Sequence, residues 1–307
     1  MWYNNLRRNI MCEYKNCKMC PRECGIDRTK RAGVCGATDK IKIALVSIHN
    51  FEEPCISGEN GSGTIFFSNC NLRCVYCQNF KISREGFGKE ITVNRLAEIF
   101  IEQQKRGVNN INLVTPTMYI DGIIEAIKIA RDNGLSIPIV YNSSGYEKAE
   151  TIKKLNGYID IYLPDFKYGT NRLALRYSGI NNYVESAMSC IDEMIKQVGK
   201  PKFNEKGIMT SGVIIRHMIL PNNVLNSKMV IKKIAQNFKD KVLVSVMAQY
   251  FPAGEASKYP EINRKINKEE LSEIQDYLEE LNIEKGYIQE LGEHEEEYVP
   301  DFNLSNV

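Results

Sequence analysis

Three cysteines within eight positions, Cys70, Cys74 and Cys77 in the run CNLRCVYCQN, constrain this chain more than any other feature. Iron-sulfur clusters are held by cysteine thiolates, usually four, so three thiols this close point to a cluster with one iron lacking a protein ligand. A metal with an open position does chemistry, whereas a closed site only braces a fold. A structural zinc knuckle is the alternative, but it generally shows two separated pairs rather than a triplet with these gaps. The triplet follows GTIFFSN, whose β-branched and aromatic residues, set between glycine and asparagine, predict a short strand over residues 64–67.

Five of the ten cysteines come earlier, in residues 12–36: Cys12, Cys17, Cys20, Cys24 and Cys35. Four thiols close a site, so Cys17, Cys20, Cys24 and Cys35 are expected to hold a second iron-sulfur cluster or a zinc ion, with Cys12 as a substitute ligand. Gly25, Gly33 and Gly36 supply the tight backbone such a loop requires. Clustered cysteines fit metal ligation in a reducing compartment better than disulfides, which, with the lack of an apolar leader in MWYNNLRRNI, gives a cytoplasmic expectation. Cys190 stands alone and reads as a buried small hydrophobe.

With 307 residues the chain has room for one large α/β domain with an appendage. Lys+Arg 40 against Asp+Glu 38 leaves a net charge of +2, and no basic run favours nucleic acid. No apolar stretch reaches the roughly 18 residues of a membrane span.

KIKIALVSIHN alternates as a strand and leads into FEEPCISGENGSG, which carries Glu52, Glu53 and Cys55 toward the cluster loop. That loop reads either as a functional one, with Cys55 a hydrogen-atom donor or extra cluster ligand, or as a glycine-punctuated linker. From residue 92 helix and strand alternate. Thr92 caps VNRLAEIFIEQQKRG; the strands INLVTPT, SIPIVYNSSGY, YIDIYLPDFKY, VIIRHMILPN and KVLVSVMAQYF follow, with helices between them. With residues 64–67 that makes six βα units, hence a parallel sheet with helices outside: an open (β/α)6 partial TIM barrel behind a small N-terminal cysteine-rich metal-binding region. The divisions are 1–62 for the cysteine-rich region and first strand, 63–266 for the barrel, and 267–307 for a last helix and a tail read as solvated.

Ligands of parallel barrels bind at the carboxyl ends of the strands. Those ends are polar here: Thr115 and Thr117; Asn142, Ser143 and Ser144; Asp165 and Lys167; Arg216 and His217; Gln249 and Tyr250. A buried Asp165 and Lys167 need partners, either a ligand or each other.

CxxxCxxC with Tyr76 before the last cysteine resembles the signature of the radical S-adenosylmethionine (SAM) superfamily. CVYCQN, VYNSSGY, YLPDFKY and RHMILPN resemble segments of its pyruvate formate-lyase activating enzyme family, and EEPCISGENGSG matches an uncharacterised branch with an N-terminal cysteine knuckle. The resemblance implies a [4Fe-4S] cluster on Cys70, Cys74 and Cys77 whose open iron binds SAM and cleaves it reductively to a 5'-deoxyadenosyl radical. It also implies that Tyr76 and Asn79 flank the adenine, that Asn142 and Ser144 lie beside SAM, and that Asp165 and Lys167 contact its ribose or carboxylate. His217 and Gln249 join them. Where the family carries Gly-Gly-Glu this chain has Thr115-Pro116-Thr117, whose hydroxyls or carbonyls would substitute. The implied activity is hydrogen abstraction, with a protein glycine as target in a glycyl-radical-enzyme activase. The implied partners are an external electron donor of flavodoxin or ferredoxin type and a glycyl radical enzyme or peptide substrate. Radical modification of a peptide or small molecule is a second reading, and a non-catalytic iron-sulfur or zinc binding protein a third.

Overall fold

The computed structural model describes residues 14–292 and 299–307; Cys12 lies outside them. Short apolar runs buried on both faces make parallel strands. β1 (Ile41–His49) lies antiparallel to β2 (Ser62–Phe67) on one side and to β3 (Lys89–Ile91) on the other. From β2 the sheet continues in parallel through β4 (Ile111–Val114), β5 (Ile139–Ser143) and β6 (Ile161–Pro164), all of whose residues are buried. A two-residue strand, β7 (Lys202–Phe203), pairs antiparallel with β8 (Met209–Met218), which lies parallel to β6. β9 (Leu243–Met247) and β10 (Gly286–Ile288) complete the order β10-β9-β8-β6-β5-β4-β2-β1-β3, an unclosed sheet. Six of the parallel strands are those expected from the sequence, and β10 extends the series by a seventh.

Helices cover the outer face. Among them α3 (Val93–Lys105) begins where the Thr92 hydroxyl accepts from the Arg95 N–H at 3.1 Å; the sequence so far also gives the short α1 (Pro54–Ser57) and α2 (Phe80–Ser83). α4 (Ile120–Asp132), α5 (Ala149–Lys153), α6 (Asn171–Ser178), α7 (Tyr183–Val198) and α8 (Val224–Asn237) follow in the connections. α9 (Lys268–Glu280) starts with a capping box between Asn267 and Glu270.

The period-two alternation of a strand sorts the barrel wall into two faces. Tyr141, Tyr162 and Ile215 face the helices in the main core, while Val140, Ile161, Leu163, Ile214 and Met209 form a separate apolar cluster with Cys55 and Ile56. α1 therefore plugs the barrel interior. One alternation further along each strand the same inner face carries Asn142, Asp165 and Arg216, so an apolar floor gives way to a polar layer at the carboxyl ends.

The described part of the tail is docked rather than solvated. β1 is the strand beside the sheet's edge, and its backbone groups beyond β3 offer hydrogen bonds to any extended segment. The Leu304 N–H donates to the Ala44 carbonyl at 3.0 Å and the Val46 N–H to the Ser305 carbonyl at 3.1 Å. Phe302, 3% exposed, packs edge-on against Phe66 with centroids 5.4 Å apart, and Lys81 holds its carbonyl at 2.7 Å. Phe302 and the backbone of residues 304–305 are what dock this segment on β1 and β2.

Candidate active site

The cluster loop leaves β2 and turns through left-handed conformations at Asn69 (φ 73°) and Arg73 (φ 61°). Backbone and side-chain bonds to several neighbouring segments hold it. The Asn69 N–H donates to the Ile82 carbonyl (2.8 Å), Val75 N–H to Tyr177 (2.9 Å) and Asn71 Nδ2 to Tyr146 (2.6 Å). Arg22, from the cysteine-rich region, donates to the carbonyls of Asn71 (2.5 Å), Leu72 (3.0 Å) and Ser178 (2.9 Å), and the Cys70 N–H donates to the Cys35 carbonyl at 3.3 Å. Tyr76 is locked by edge-on contacts with Tyr168, Tyr177 and Tyr250, at centroid distances of 6.5, 5.9 and 6.0 Å. Two thiols already have donors: Ser83 Oγ lies 3.1 Å from Cys77 Sγ and Ser178 Oγ 3.3 Å from Cys74 Sγ.

Cys70, Cys74 and Cys77 line one cavity of about 860 Å³ together with Tyr76, Asn79, Thr115, Asn142, Ser144, Asp165, Lys167 and Gln249. That volume lies in the upper part of the usual range for ligand pockets, about 300–1,000 Å³. In a four-iron cluster each thiolate meets a different iron, so its ligands ring a volume instead of closing on a point. Three thiols lining a shared cavity fit that demand. Among the described residues no three His, Cys, Asp or Glu side chains are gathered to hold a single metal ion.

Charged groups form the cavity's floor. Arg216 donates through Nε to Asp165 Oδ1 (3.0 Å), through Nη1 to Glu52 Oε2 (3.1 Å) and through Nη2 to Asn142 Oδ1 (2.6 Å). Lys167 Nζ bonds Asp165 Oδ2 at 2.6 Å, and Asn112 Nδ2 donates to Glu52 Oε1 at 3.0 Å. Burial works against ionisation of Asp165, but Lys167 and Arg216 outweigh it and hold its carboxyl below the usual range. Glu53 goes the other way: burial raises it, with Arg216 only partly compensating. Thr115, at the end of β4, is a β-branched residue with φ 59°, a strained conformation of the kind that gathers at functional sites. Gly145 lets the chain after β5 pass the Asp165 carbonyl, since at φ 70° a Cβ there would stand 2.1 Å from that oxygen.

Three expected site residues lie outside this wall. His217 follows the inward Arg216, so alternation turns it toward α8, where Phe166 O (2.7 Å) and Ser227 Oγ (2.8 Å) hold its ring and burial keeps it down at about 4. Thr117 donates to Glu147 Oε1 at 2.8 Å behind the sheet. Cys55 belongs to the apolar plug, 4% exposed, its thiol pushed up to about 11 by burial. In their place the cavity takes Arg216, Glu52, Glu53, Ser245, Tyr287 and Gln289. Cys190 is buried in the main core, as its isolation suggested.

The thiols of Cys17, Cys20, Cys24 and Cys35 line a second, small cavity of about 20 Å³, with Thr117 and Met118 on its barrel side. Arg28, 1% exposed, ties this region down by donating to the carbonyls of Ala37 (3.2 Å) and Met118 (2.8 Å). Thr151 Oγ1 adds a bond to the Met19 carbonyl at 2.7 Å.

Among the described residues no helix is long and apolar enough to cross a membrane. The chain is 32% identical over 287 residues to an uncharacterised protein of Methanocaldococcus jannaschii, covering 89% of this chain and 77% of the relative. It is 26% identical over 254 residues to a pyruvate formate-lyase-activating enzyme of Clostridium pasteurianum, covering 76% of this chain and 97% of that one. Among solved structures, Streptococcus suis SuiB bound to precursor peptide SuiA superposes with a TM-score of 0.49 at 14% identity over 73% of this chain, which spans 47% of SuiB. The family pattern of the Radical SAM superfamily matches residues 64–223, from β2 through β8, which contain the cluster loop and most of the polar strand ends. The chain belongs to the radical SAM superfamily.

Proposed function

We propose that this chain carries one [4Fe-4S] cluster on Cys70, Cys74 and Cys77, binds SAM across the strand ends, and abstracts a hydrogen atom from a small polar substrate. The observation that carries this reading is that the three thiols and the charged floor open on one cavity of about 860 Å³. When bound, the reduced cluster and SAM supply the radical chemistry, cleaving SAM to methionine and a 5'-deoxyadenosyl radical. The chain's own residues supply rigidity and orientation. Tyr76, fixed by three tyrosines, and Asn79 offer a flat edge for the adenine. Asp165 and Lys167, already paired, offer an acceptor and a donor to the ribose or carboxylate. The apolar plug below keeps water from entering through the floor. An external electron donor of flavodoxin or ferredoxin type is required, and the cytoplasm is the compartment that suits both.

A small polar substrate is favoured over a protein glycine because, beyond Asp165 and Lys167, the floor carries the charged side chains Glu52, Glu53 and Arg216, where a glycine would bring no charge to meet them. Similarity to a pyruvate formate-lyase-activating enzyme over 97% of its length supports glycyl-radical activation as the second reading. We further propose that Cys17, Cys20, Cys24 and Cys35, which are not gathered on a single metal ion, hold a second iron-sulfur cluster; the cavity they share and the contacts of Arg22 and Cys35 with the cluster loop support it.

The test is anaerobic reconstitution with iron, sulfide and zinc counts on wild type and on a Cys70→Ala, Cys74→Ala, Cys77→Ala variant, followed by reduction and assay of 5'-deoxyadenosine. Loss of four irons and of all 5'-deoxyadenosine in the variant supports the reading, and the metal that remains identifies the second centre. A wild type that holds zinc alone and leaves SAM intact refutes it. A glycyl radical raised by the enzyme on a partner protein would select the second reading.

A further inference from the structure

Three acidic side chains, Glu52, Glu53 and Asp165, line the cavity with two permanent cations, Lys167 and Arg216, and burial raises Glu53 toward its neutral form. Both cations are committed. Lys167 bonds Asp165, and all three guanidinium nitrogens of Arg216 are taken, by Asp165, Glu52 and Asn142. Glu53 is left over. It is 7% exposed, the Ser245 hydroxyl donates to its carboxyl, and its Oε2 has no hydrogen-bond partner. A buried carboxylate oxygen without a donor is costly, and native proteins keep few of them without cause.

Glu53 precedes the α1 plug and leans on Ser245 of β9, with Tyr287 of β10 close enough to feel its charge. Resting on the radical SAM reading above, we infer that Glu53 is a substrate-recognition residue whose carboxylate receives a cationic nitrogen, so that the substrate is a small molecule carrying an amine. An incoming ammonium would hold Glu53 ionised and donate to Oε2, with Tyr287 lining the cavity beside it. A charge-assisted bond of this kind is the stronger sort of hydrogen bond, and in a dry site it selects a cation over its neutral isostere.

The experiment titrates reconstituted, SAM-loaded enzyme at neutral pH with three probes of equal length, n-pentylamine, n-pentanol and pentanoate, by calorimetry. The expected result is that wild type binds the amine at least about tenfold more tightly than the alcohol and discriminates further against the acid. Glu53→Gln, which keeps the shape and removes the charge, should bring the amine and alcohol to within about twofold. Glu53→Asp should retain a reduced preference for the amine, which guards against misreading a folding defect. Equal affinity of wild type for amine and alcohol, no measurable amine binding, or an undiminished amine preference in Glu53→Gln overturns the assignment. Loss of SAM affinity in Glu53→Gln also overturns it, because the carboxyl would then serve the cofactor. Production of 5'-deoxyadenosine by wild type, measured separately, bears on the radical reading alone.

Discussion

Arg216 is the side chain on which the cavity floor depends, and replacing it with methionine gives the sharpest test of that floor. The guanidinium bridges Asp165, Glu52 and Asn142 at 3.0, 3.1 and 2.6 Å, and the ion-paired side chains are between 10% and 13% exposed. Removing one partner of a buried ion pair generally costs about 3–5 kcal/mol, because the other charge stays buried without compensation. Lys167 still bonds Asp165 in the variant and Asn112 still bonds Glu52, so the loss should fall near the lower bound, about 3 kcal/mol. Glu52→Gln alone leaves Arg216 bonded to Asp165 and Asn142 and should cost about 1–2 kcal/mol. Combined with Arg216→Met it removes a charge that no longer has a partner, so the double variant should be more stable than the sum of the singles by about 1.5–3 kcal/mol. Urea unfolding followed by far-UV circular dichroism, on anaerobic samples of equal iron content and with unchanged m-values, measures all four proteins. A loss under about 1 kcal/mol in Arg216→Met, or singles that add within about 0.5 kcal/mol, would refute the reasoning.

Burial lifts Glu147 to about 7 although Thr117 and Ser143 donate to it. Between about pH 4.5 and 7 the folded chain then holds a proton that the unfolded chain has released, so stability falls as pH rises across that window, by about 3 kcal/mol. Glu147→Gln should flatten that slope in pH-dependent urea unfolding, and a slope unchanged from wild type would remove the argument. Ser83→Ala and Ser178→Ala delete the hydroxyls 3.1 and 3.3 Å from Cys77 and Cys74 sulfurs. Each should move the cluster's reduction potential to more negative values, on the order of tens of millivolts, in a redox titration followed by electron paramagnetic resonance, since sulfur hydrogen bonds stabilise the reduced state. Phe302→Ala should destabilise by about 3 kcal/mol and expose the terminus to carboxypeptidase; resistance equal to wild type would show that the backbone bonds to β1 hold the tail without the ring.

Most of the barrel was legible because its strands are short buried runs of β-branched and aromatic residues bounded by helix caps and glycines. INLV and IVYNS have no exposed residue, and Thr92 marks the start of α3 by the bond its hydroxyl makes. β10 escaped because Gly286–Ile288 is three residues long with two of them exposed, so no periodicity could develop; it exists because β9 presents a free edge. The tail misled for a related reason. Its acidic run dominates any window average, while the decisive residue is a single phenylalanine whose slot is made by Phe66 on a distant strand.

At the site, the thiol triplet and the polar strand ends could be read from spacing, but which of two neighbours faces the cavity could not be read from polarity. Arg216 and His217 are both polar, the first largely and the second fully covered, yet in a strand only one of them can share a face with the inward Ile214. The period of two decides the matter once one inward residue is known, and it assigns the cavity to Arg216. A second route existed in the sequence: Asp165 at the end of β6 needs a cation, and Asp165 and Arg216 form a lateral bridge between β6 and β8. Read together, the two rules also explain Glu53. Once Lys167 and Arg216 are assigned to Asp165, Glu52 and Asn142, neither donates to Glu53, which is why burial raises it and its Oε2 is left without a partner.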